Sequence, residues 1–488
     1  VLVVVIASLT VGSHRRQEAR NEQTGKRWKE RQKLHTLRSG GRVISGSINA
    51  LRREAIRHPR LPFWTATATA RRLMQNHGQT PGGPEAKPRQ LALVEFVPLM
   101  ALATAIDAMS IDAMLPALPD IGRDLGVTET TKLQLVVQLM FGGFAIGQLI
   151  GGPVADSFGR KRAFYFGLSI YLAGTVLAIL APTFSIFLTA RVLQGLGASI
   201  PLVVLAALVR DQYEGAPMAR IMSLIGGVFI TVPIVAPLLG QGILLVARWQ
   251  MIFVMFLVLA LVVTIWFGIR QPETLPMSRR APFRVSSFAS SFLEAATHRI
   301  ATPYMVAEGF LFGAFLPYLA SAQHIFQDIY GQGTAFVLYF SVLAASLGVA
   351  FFANSALVMR FGMQRLTGGA MLYVFALAML MLLATLALGG EPPLWLFMGY
   401  MLLTFLGIGF VFGNLSALTM EPLGHIAGIG AAMLGTVSTF LGMAIGIVIG
   451  WWIDGTVVPL IAGFAGCFAL AFLTMLWAEA GRRRLATA

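Results

Sequence analysis

Four ionisable side chains stand inside runs that are otherwise apolar, and the chain's chemistry is sought there first. Asp107 and Asp112 lie in Ala105-Ile-Asp-Ala-Met-Ser-Ile-Asp-Ala-Met-Leu-Pro-Ala-Leu-Pro119, and Arg191 lies in Leu188-Thr-Ala-Arg-Val-Leu-Gln194-Gly195-Leu-Gly197-Ala198-Ser199. Glu308 stands alone, with Tyr304 and Phe312 one turn to either side. A charged group inside a bilayer costs about 2.5–3.5 kcal/mol on insertion scales, so such a residue is retained for a task such as proton relay or cation binding. Asp107 and Asp112 are five apart, about 140° on an ideal helix, so one of them is expected to face a shared cavity. Asp112 lies about 9 Å below the end of its run at Leu118, and Arg191 about 10 Å from the end of its own near Phe184. The matched depth makes Asp112 the expected acceptor for a guanidinium that cannot stay buried unpaired. The plainer readings are an acid solvated at a helix mouth for either aspartate and a structural ion pair for Arg191. Glu308 reads equally as a second protonatable site or as a polar helix-end residue. Asp454 is expected to meet water.

These residues need helices in lipid to hold them. The chain of 488 residues is 56% apolar and 12% charged, half the charged fraction of an ordinary soluble domain at about 25%. A polytopic membrane protein follows. The single cysteine, Cys467, excludes an intrachain disulfide. No His/Cys cluster suggests a metal, no nucleophile–base constellation or phosphate loop suggests an enzyme, and no cofactor is expected. The net charge of +15 would suggest nucleic acid, but residues 1–90 hold 18 of the 37 basic residues and only 5 of the 22 acidic ones. The basicity belongs to the leader, so no nucleic-acid partner is expected, and no protein partner is evident. Residues 1–90 are Arg-rich without sustained periodicity, the composition of a disordered segment. They read either as a basic arm on anionic lipid or, for 1–73, as sequence upstream of a true start at Met74, since all 22 methionines fall after residue 73.

From Leu91 the apolar segments run at about 91–117, 133–154, 163–182, 184–209, 221–246 and 249–270, then 300–322, 334–358, 366–389, 393–418, 427–450 and 456–479. Each has roughly the ~20 residues a bilayer core demands. The polar stretch 271–299 divides them into an N-terminal six-helix unit (91–270) and a C-terminal one (300–480), followed by a short tail (481–488). The fifth segment carries Gly226-Gly227, Pro233, Pro237 and Gly240, which predicts a kinked helix packed on a neighbour. Gln194, Gly195 and Gly197 mark a surface for close helix approach. Arg160, Lys161, Arg162, Arg210, Arg220, Arg270, Arg279, Arg280, Arg284, Arg299, Arg360, Arg365 and Arg482–Arg484 fall on one side of this arrangement, against Arg123, Lys132 and Arg248 on the other. That asymmetry predicts both termini on the cytoplasmic side.

The turn Gly152-Pro-Val-Ala-Asp156-Ser-Phe-Gly159-Arg160-Lys161-Arg162 resembles the signature loop between helices 2 and 3 of the major facilitator superfamily, with Ser157 where that family usually has a cation. Arg360-Phe-Gly362 and Arg365 repeat it in the second half, as a duplicated build would. Arg191-x-x-Gln194-Gly195-x-Gly197 resembles the fourth-helix motif of that family's drug:proton antiporters. Pro233 to Gly240 is similar to their fifth-helix motif, with Ala236 and Gln241 in place of two glycines. Ile111 to Pro119, Phe326-Gln-Asp-Ile-Tyr-Gly331 and Met420-Glu-Pro-Leu-Gly-His-Ile-Ala-Gly428 resemble the bicyclomycin-resistance (Bcr/CflA) branch. The likeness spans about Leu91 to Ala480.

The resemblance implies an all-α integral membrane fold of twelve transmembrane helices in two six-helix bundles around a cavity. It implies proton-coupled export of small apolar or cationic drugs across a bacterial inner membrane. Asp112 would carry the proton and the cationic cargo, Arg191 would tune it, and Asp107 and Glu308 would be further coupling candidates. Asp156 would lie near the start of helix eleven in one conformational state, where the helix dipole stabilises a carboxylate. The rival readings are export of a native metabolite (sugar, amino acid or siderophore) and a non-transporting sensor or scaffold on the same fold.

Overall fold

The computed structural model describes residues 91–127, 129–213, 215–280, 285–453 and 455–486. The leader, Arg284 and Asp454 lie outside the described residues. Apolar residues dominate the helices and charges the turns, so the chain satisfies its backbone within helices, as lipid requires. The long helices are α1 (Leu93–Asp112), α2 (Thr130–Phe158), α3 (Arg160–Ile179), α4 (Phe184–Gln212), α5 (Gly215–Leu244) and α6 (Gln250–Arg270). They continue as α7 (Ala301–His324), α8 (Phe336–Phe361), α9 (Met363–Ala387), α10 (Leu394–Met420), α11 (Ala427–Trp452) and α12 (Val458–Ala486). Among the described residues eleven helical stretches are long and apolar enough to cross a membrane. One of them, Leu394–Trp452, is α10 and α11 run together through the 3-10 turn Glu421–Ile426.

The packing repeats with an offset of six helices. α2 lies on α4, and α3 on α4 and α6; likewise α8 lies on α10, and α9 on α10 and α12. The signature-loop echo is carried into the backbone as well. Gly159 ends α2 and starts α3 at φ +98°, and Gly362 ends α8 and starts α9 at φ +79°. Only glycine takes such a corner without strain. The two bundles meet where α2 packs on α11 and α5 on α8, and the Ser341 hydroxyl donates to the Ile234 carbonyl 2.8 Å away.

The α2–α11 seam is closely packed along most of its length. A Cβ on Gly450 would overlap the Gln134 side chain, one on Gly142 would stand 2.8 Å from Met443 Sδ, and one on Gly435 would overlap Gln148. Thr436 Oγ1 donates to the Ala145 carbonyl at 3.0 Å. Nearer the signature loop, neither Gly152 nor Gly428 has a heavy atom within 4 Å of where its Cβ would stand. The α2–α11 contacts thus run from Gln134 to Gln148, and at Gly152 and Gly428 the space a Cβ would take is empty.

Residues 271–299, read from sequence as a plain polar linker, contain the 3-10 turn Met277–Arg279 and the helix Val285–Thr297. The C-terminal end of that helix joins the second bundle through Ala295, packed in a cluster with Ala301, Met305, Leu423 and Met433. His425 Nε2 and Glu294 Oε1 are 2.6 Å apart beside it.

Candidate functional site

Arg191 is fully buried in the first bundle, where α1, α2, α3, α4 and α6 converge. Close approach of α2 and α4 creates this position: a Cβ on Gly195 would overlap the Met140 carbonyl, and one on Gly197 would overlap the Tyr171 backbone nitrogen of α3. The guanidinium Nε donates to the Val136 carbonyl (3.2 Å), one terminal nitrogen to Gln194 Oε1 (2.7 Å), and the other to the Ser110 carbonyl (3.0 Å). The last also lies 2.7 Å from Met140 Sδ, and the Phe253 ring of α6 stands 5.9 Å from the guanidinium carbon.

The network continues outward. Gln194 Nε2 donates to Thr175 Oγ1 (2.9 Å), whose hydroxyl donates to the Tyr171 carbonyl (2.8 Å). The Tyr171 hydroxyl and Ser110 Oγ are 2.5 Å apart, and Ser110 Oγ donates back to the Ile106 carbonyl at 2.6 Å. Gln194, read from sequence as part of the packing surface, is thus the arginine's hydrogen-bond partner. Its amide is needed because a buried guanidinium must fill five donor positions.

The expected Arg191–Asp112 pair does not form. Asp112 makes no hydrogen bond or ion pair with Arg191, and Asp107 is the carboxylate within electrostatic reach of the guanidinium. Helix geometry explains the correction. Arg191 docks on the side of α1 that carries the Ser110 carbonyl; Asp107 is three residues away, about 60° round the helix, whereas Asp112 is about 160° round. Depth placed the arginine at the right level, and azimuth gave it the other acid. One Asp107 oxygen, Oδ1, is buried with no hydrogen-bond partner among the described residues. A carboxylate left this way in a low-dielectric interior is a group able to take a proton.

Asp112 is the last residue of α1, 5% exposed, just before the 3-10 turn Leu115–Ala117 that Pro116 opens. It lies within electrostatic range of Asp107 and of Tyr318 on α7. The buried Tyr318 hydroxyl also has no hydrogen-bond partner among the described residues. Asp112 thus stands where the first bundle meets α7. Over it packs α5, which remains one helix through Pro233 and Pro237. A Cβ on Gly240 would overlap the Ala113 carbonyl.

Glu308 is buried in α7, away from this cluster. Its Oε1 accepts from Ser416 Oγ of α10 at 2.8 Å, and its Oε2 has no partner among the described residues. Phe312 packs edge-on against Phe412 one turn further along.

The signature loop forms a separate polar assembly. Arg160 donates to Asp156 (2.5 Å) and to Asp211 at the end of α4 (3.0 Å). Glu273, just after α6, accepts from the backbone N–H groups of Arg160 (3.0 Å) and Lys161 (3.2 Å), and so caps α3. Lys161 Nζ donates to the Gly268 carbonyl at 2.7 Å. Asp156 therefore pairs with Arg160, one turn along its own bundle. Sequence reasoning missed Ser110, Thr175, Tyr171, Tyr318 and Glu273. The first four are ordinary polar residues in apolar runs; Glu273 follows a proline two residues beyond the last helical residue of α6, where a cap for another helix has no sequence signature.

Comparison with known proteins agrees with this architecture. The family profile described as Major Facilitator Superfamily matches residues 100–447. The Bacillus subtilis protein described as an uncharacterized MFS-type transporter, YdgK, is 29% identical over 358 residues, 72% of this chain and 87% of its own. A bicyclomycin resistance protein homolog of Haemophilus influenzae is 26% identical over 387 residues, covering 78% and 94%. The multidrug resistance protein MdtL of Citrobacter koseri is 33% identical over 183 residues, 38% of this chain and 47% of its own. Among solved structures, a D-xylose–proton symporter superposes with TM-score 0.65 at 13% identity, covering 78% of this chain and 96% of its own. That likeness is one of fold alone.

Proposed function

The chain belongs to the major facilitator superfamily, a family of transporters and not of enzymes, and from that premise we propose that it exports small apolar or cationic drugs in exchange for protons. Its helices would make twelve crossings in two six-helix bundles (91–270 and 300–480), joined by a cytoplasmic linker, with both termini inside a bacterial inner membrane. The observation that carries the reading is the pair of buried carboxylates on α1. Asp107 holds an unpartnered oxygen beside the buried Arg191, and Asp112 stands where the bundles meet. Neither is held in a direct salt bridge: Asp107 meets Arg191 only through the electrostatic field, and Asp112 has no such cation beside it among the described residues, which leaves it the freer of the two to exchange a proton.

In this scheme protonation of Asp112 releases a cationic cargo, and Asp107 with Arg191 holds the electrostatic setting of the site. The seam contacts between Gln134 and Gln148 lie toward the face opposite the signature loop, as closure of that face would require in a state facing the cytoplasm. The Asp156–Arg160–Asp211 assembly would then favour one of the two states. Two relatives whose names refer to bicyclomycin and multidrug resistance support a drug-like cargo. Reconstitution in proteoliposomes tests the proposal: an imposed pH gradient should drive uphill drug movement. Accumulation of a sugar or amino acid, with no drug flux, would favour a metabolite exporter.

A further inference from the structure

Two hollows on the face opposite the signature loop meet at one residue. The first, about 600 Å³, is polar and lies among the helix ends at that face, with Asp120, Arg123, Asp124, Arg248 and Trp249 around it. The second, about 570 Å³, is an apolar groove along α5 and α6 whose lining includes Ile243, Met251, Val258 and Val262. Ala247 lines both. The groove is on the outer side of the bundle, since Val258 and Val262 are about half exposed. From Met251 to Val262 α6 rises about 16 Å, close to one leaflet of a hydrocarbon core about 30 Å thick.

The charges of the polar hollow are arranged asymmetrically. Arg123 is paired with Asp120 at 3.1 Å, and Asp124 accepts from the Trp249 indole at 2.8 Å. Arg248 has no ion-pair partner among the described residues. Two carboxylates and two guanidiniums around one opening, one guanidinium uncommitted, complement a headgroup that carries both a phosphate and a protonated amine.

We propose that the joined surface holds one ethanolamine phospholipid, with an acyl chain in the α5–α6 groove, its phosphate on Arg248 and its ammonium at Asp120 and Asp124. The second chain stays in the bilayer. A choline headgroup would lose the ammonium's hydrogen bonds to the carboxylates, and a glycerol headgroup would bring no positive charge to them. Which leaflet supplies the lipid follows from the orientation proposed above; the binding itself does not depend on orientation or on transport.

The test is native mass spectrometry of the full chain, delipidated in mild detergent and titrated with phosphatidylethanolamine, phosphatidylglycerol or phosphatidylcholine. The wild-type chain should retain one phosphatidylethanolamine at least ten-fold more than phosphatidylcholine. Arg248→Ala should abolish retention, and Asp120→Asn should remove the preference over phosphatidylglycerol. Val258→Trp, which fills the groove, should reduce binding of all three. Equal retention of the three lipids by the wild-type chain would overturn the proposal, as would retention untouched by Arg248→Ala. Arg248 is exposed, so that variant is expected to fold, and its melting without lipid provides the check.

Discussion

Replacing Arg191 by methionine removes a guanidinium that donates to Ser110, Val136 and Gln194 and supplies, among the described residues, the cation in reach of Asp107. Deleting one partner of a directly paired buried charge costs about 3–5 kcal/mol, an upper bound here because Arg191 and Asp107 interact without direct contact. The Gln194 oxygen, orphaned as well, adds about 1–3 kcal/mol if nothing replaces its donor. Against a total stability of about 5–15 kcal/mol, Arg191→Met should sharply lower the yield and the denaturant midpoint in mixed micelles. The identity of the partner is then read from double mutants. Asp107→Asn combined with Arg191→Met removes both charges, so its destabilisation should fall short of the sum by about 1–3 kcal/mol. Asp112→Asn combined with Arg191→Met should be additive. Equilibrium unfolding of the three single and two double variants gives both numbers. Additivity for Asp107 with coupling for Asp112 would show that the azimuthal argument is wrong.

Other parts of the structure make separate claims. Gly450→Val should clash with Gln134 and hold the α2–α11 seam apart; cysteines placed along that seam should then label faster from the face opposite the signature loop. Glu273→Ala uncaps α3 and should cost about 0.5–2 kcal/mol, whereas Asp156→Asn, whose side chain is 56% exposed, should cost about 0–1 kcal/mol; melting curves of the two variants rank them. Glu308→Gln keeps an acceptor for Ser416 and should leave drug efflux on a pH gradient intact while raising KM for cationic cargo, read from flux at varied drug concentration.

The helices and the repeat were legible because hydrocarbon length and glycine geometry leave few alternatives. Phe158-Gly159 and Phe361-Gly362 looked like a faint echo in letters, and both glycines turn their corners at positive φ. The site was legible only in part. Arg191 and the acids stood out as charges where charges are costly, and their depth followed from counting residues. Which acid faced the arginine depended on how α4 is rotated against α1, set by Gly195 on Met140 and Gly197 on Tyr171. That rotation is a property of packing between distant segments. The α3 cap by Glu273 is equally nonlocal, joining residues more than a hundred positions apart. Asp156 was expected near the start of α11, and its shown partner is instead Arg160, four residues on.

The central claim is that the α1 carboxylates couple drug movement to protons. The direct measurement is pH-gradient-driven drug efflux from proteoliposomes carrying Asp112→Asn, Asp107→Asn or the wild-type chain, with passive drug exchange at equal pH measured in parallel. The account predicts that Asp112→Asn abolishes uphill efflux and retains passive exchange, and that Asp107→Asn, which strands Arg191 without its carboxylate, impairs both through loss of folded protein. Uphill efflux at the wild-type rate in the Asp112→Asn variant, with its membrane level unchanged, would contradict the account.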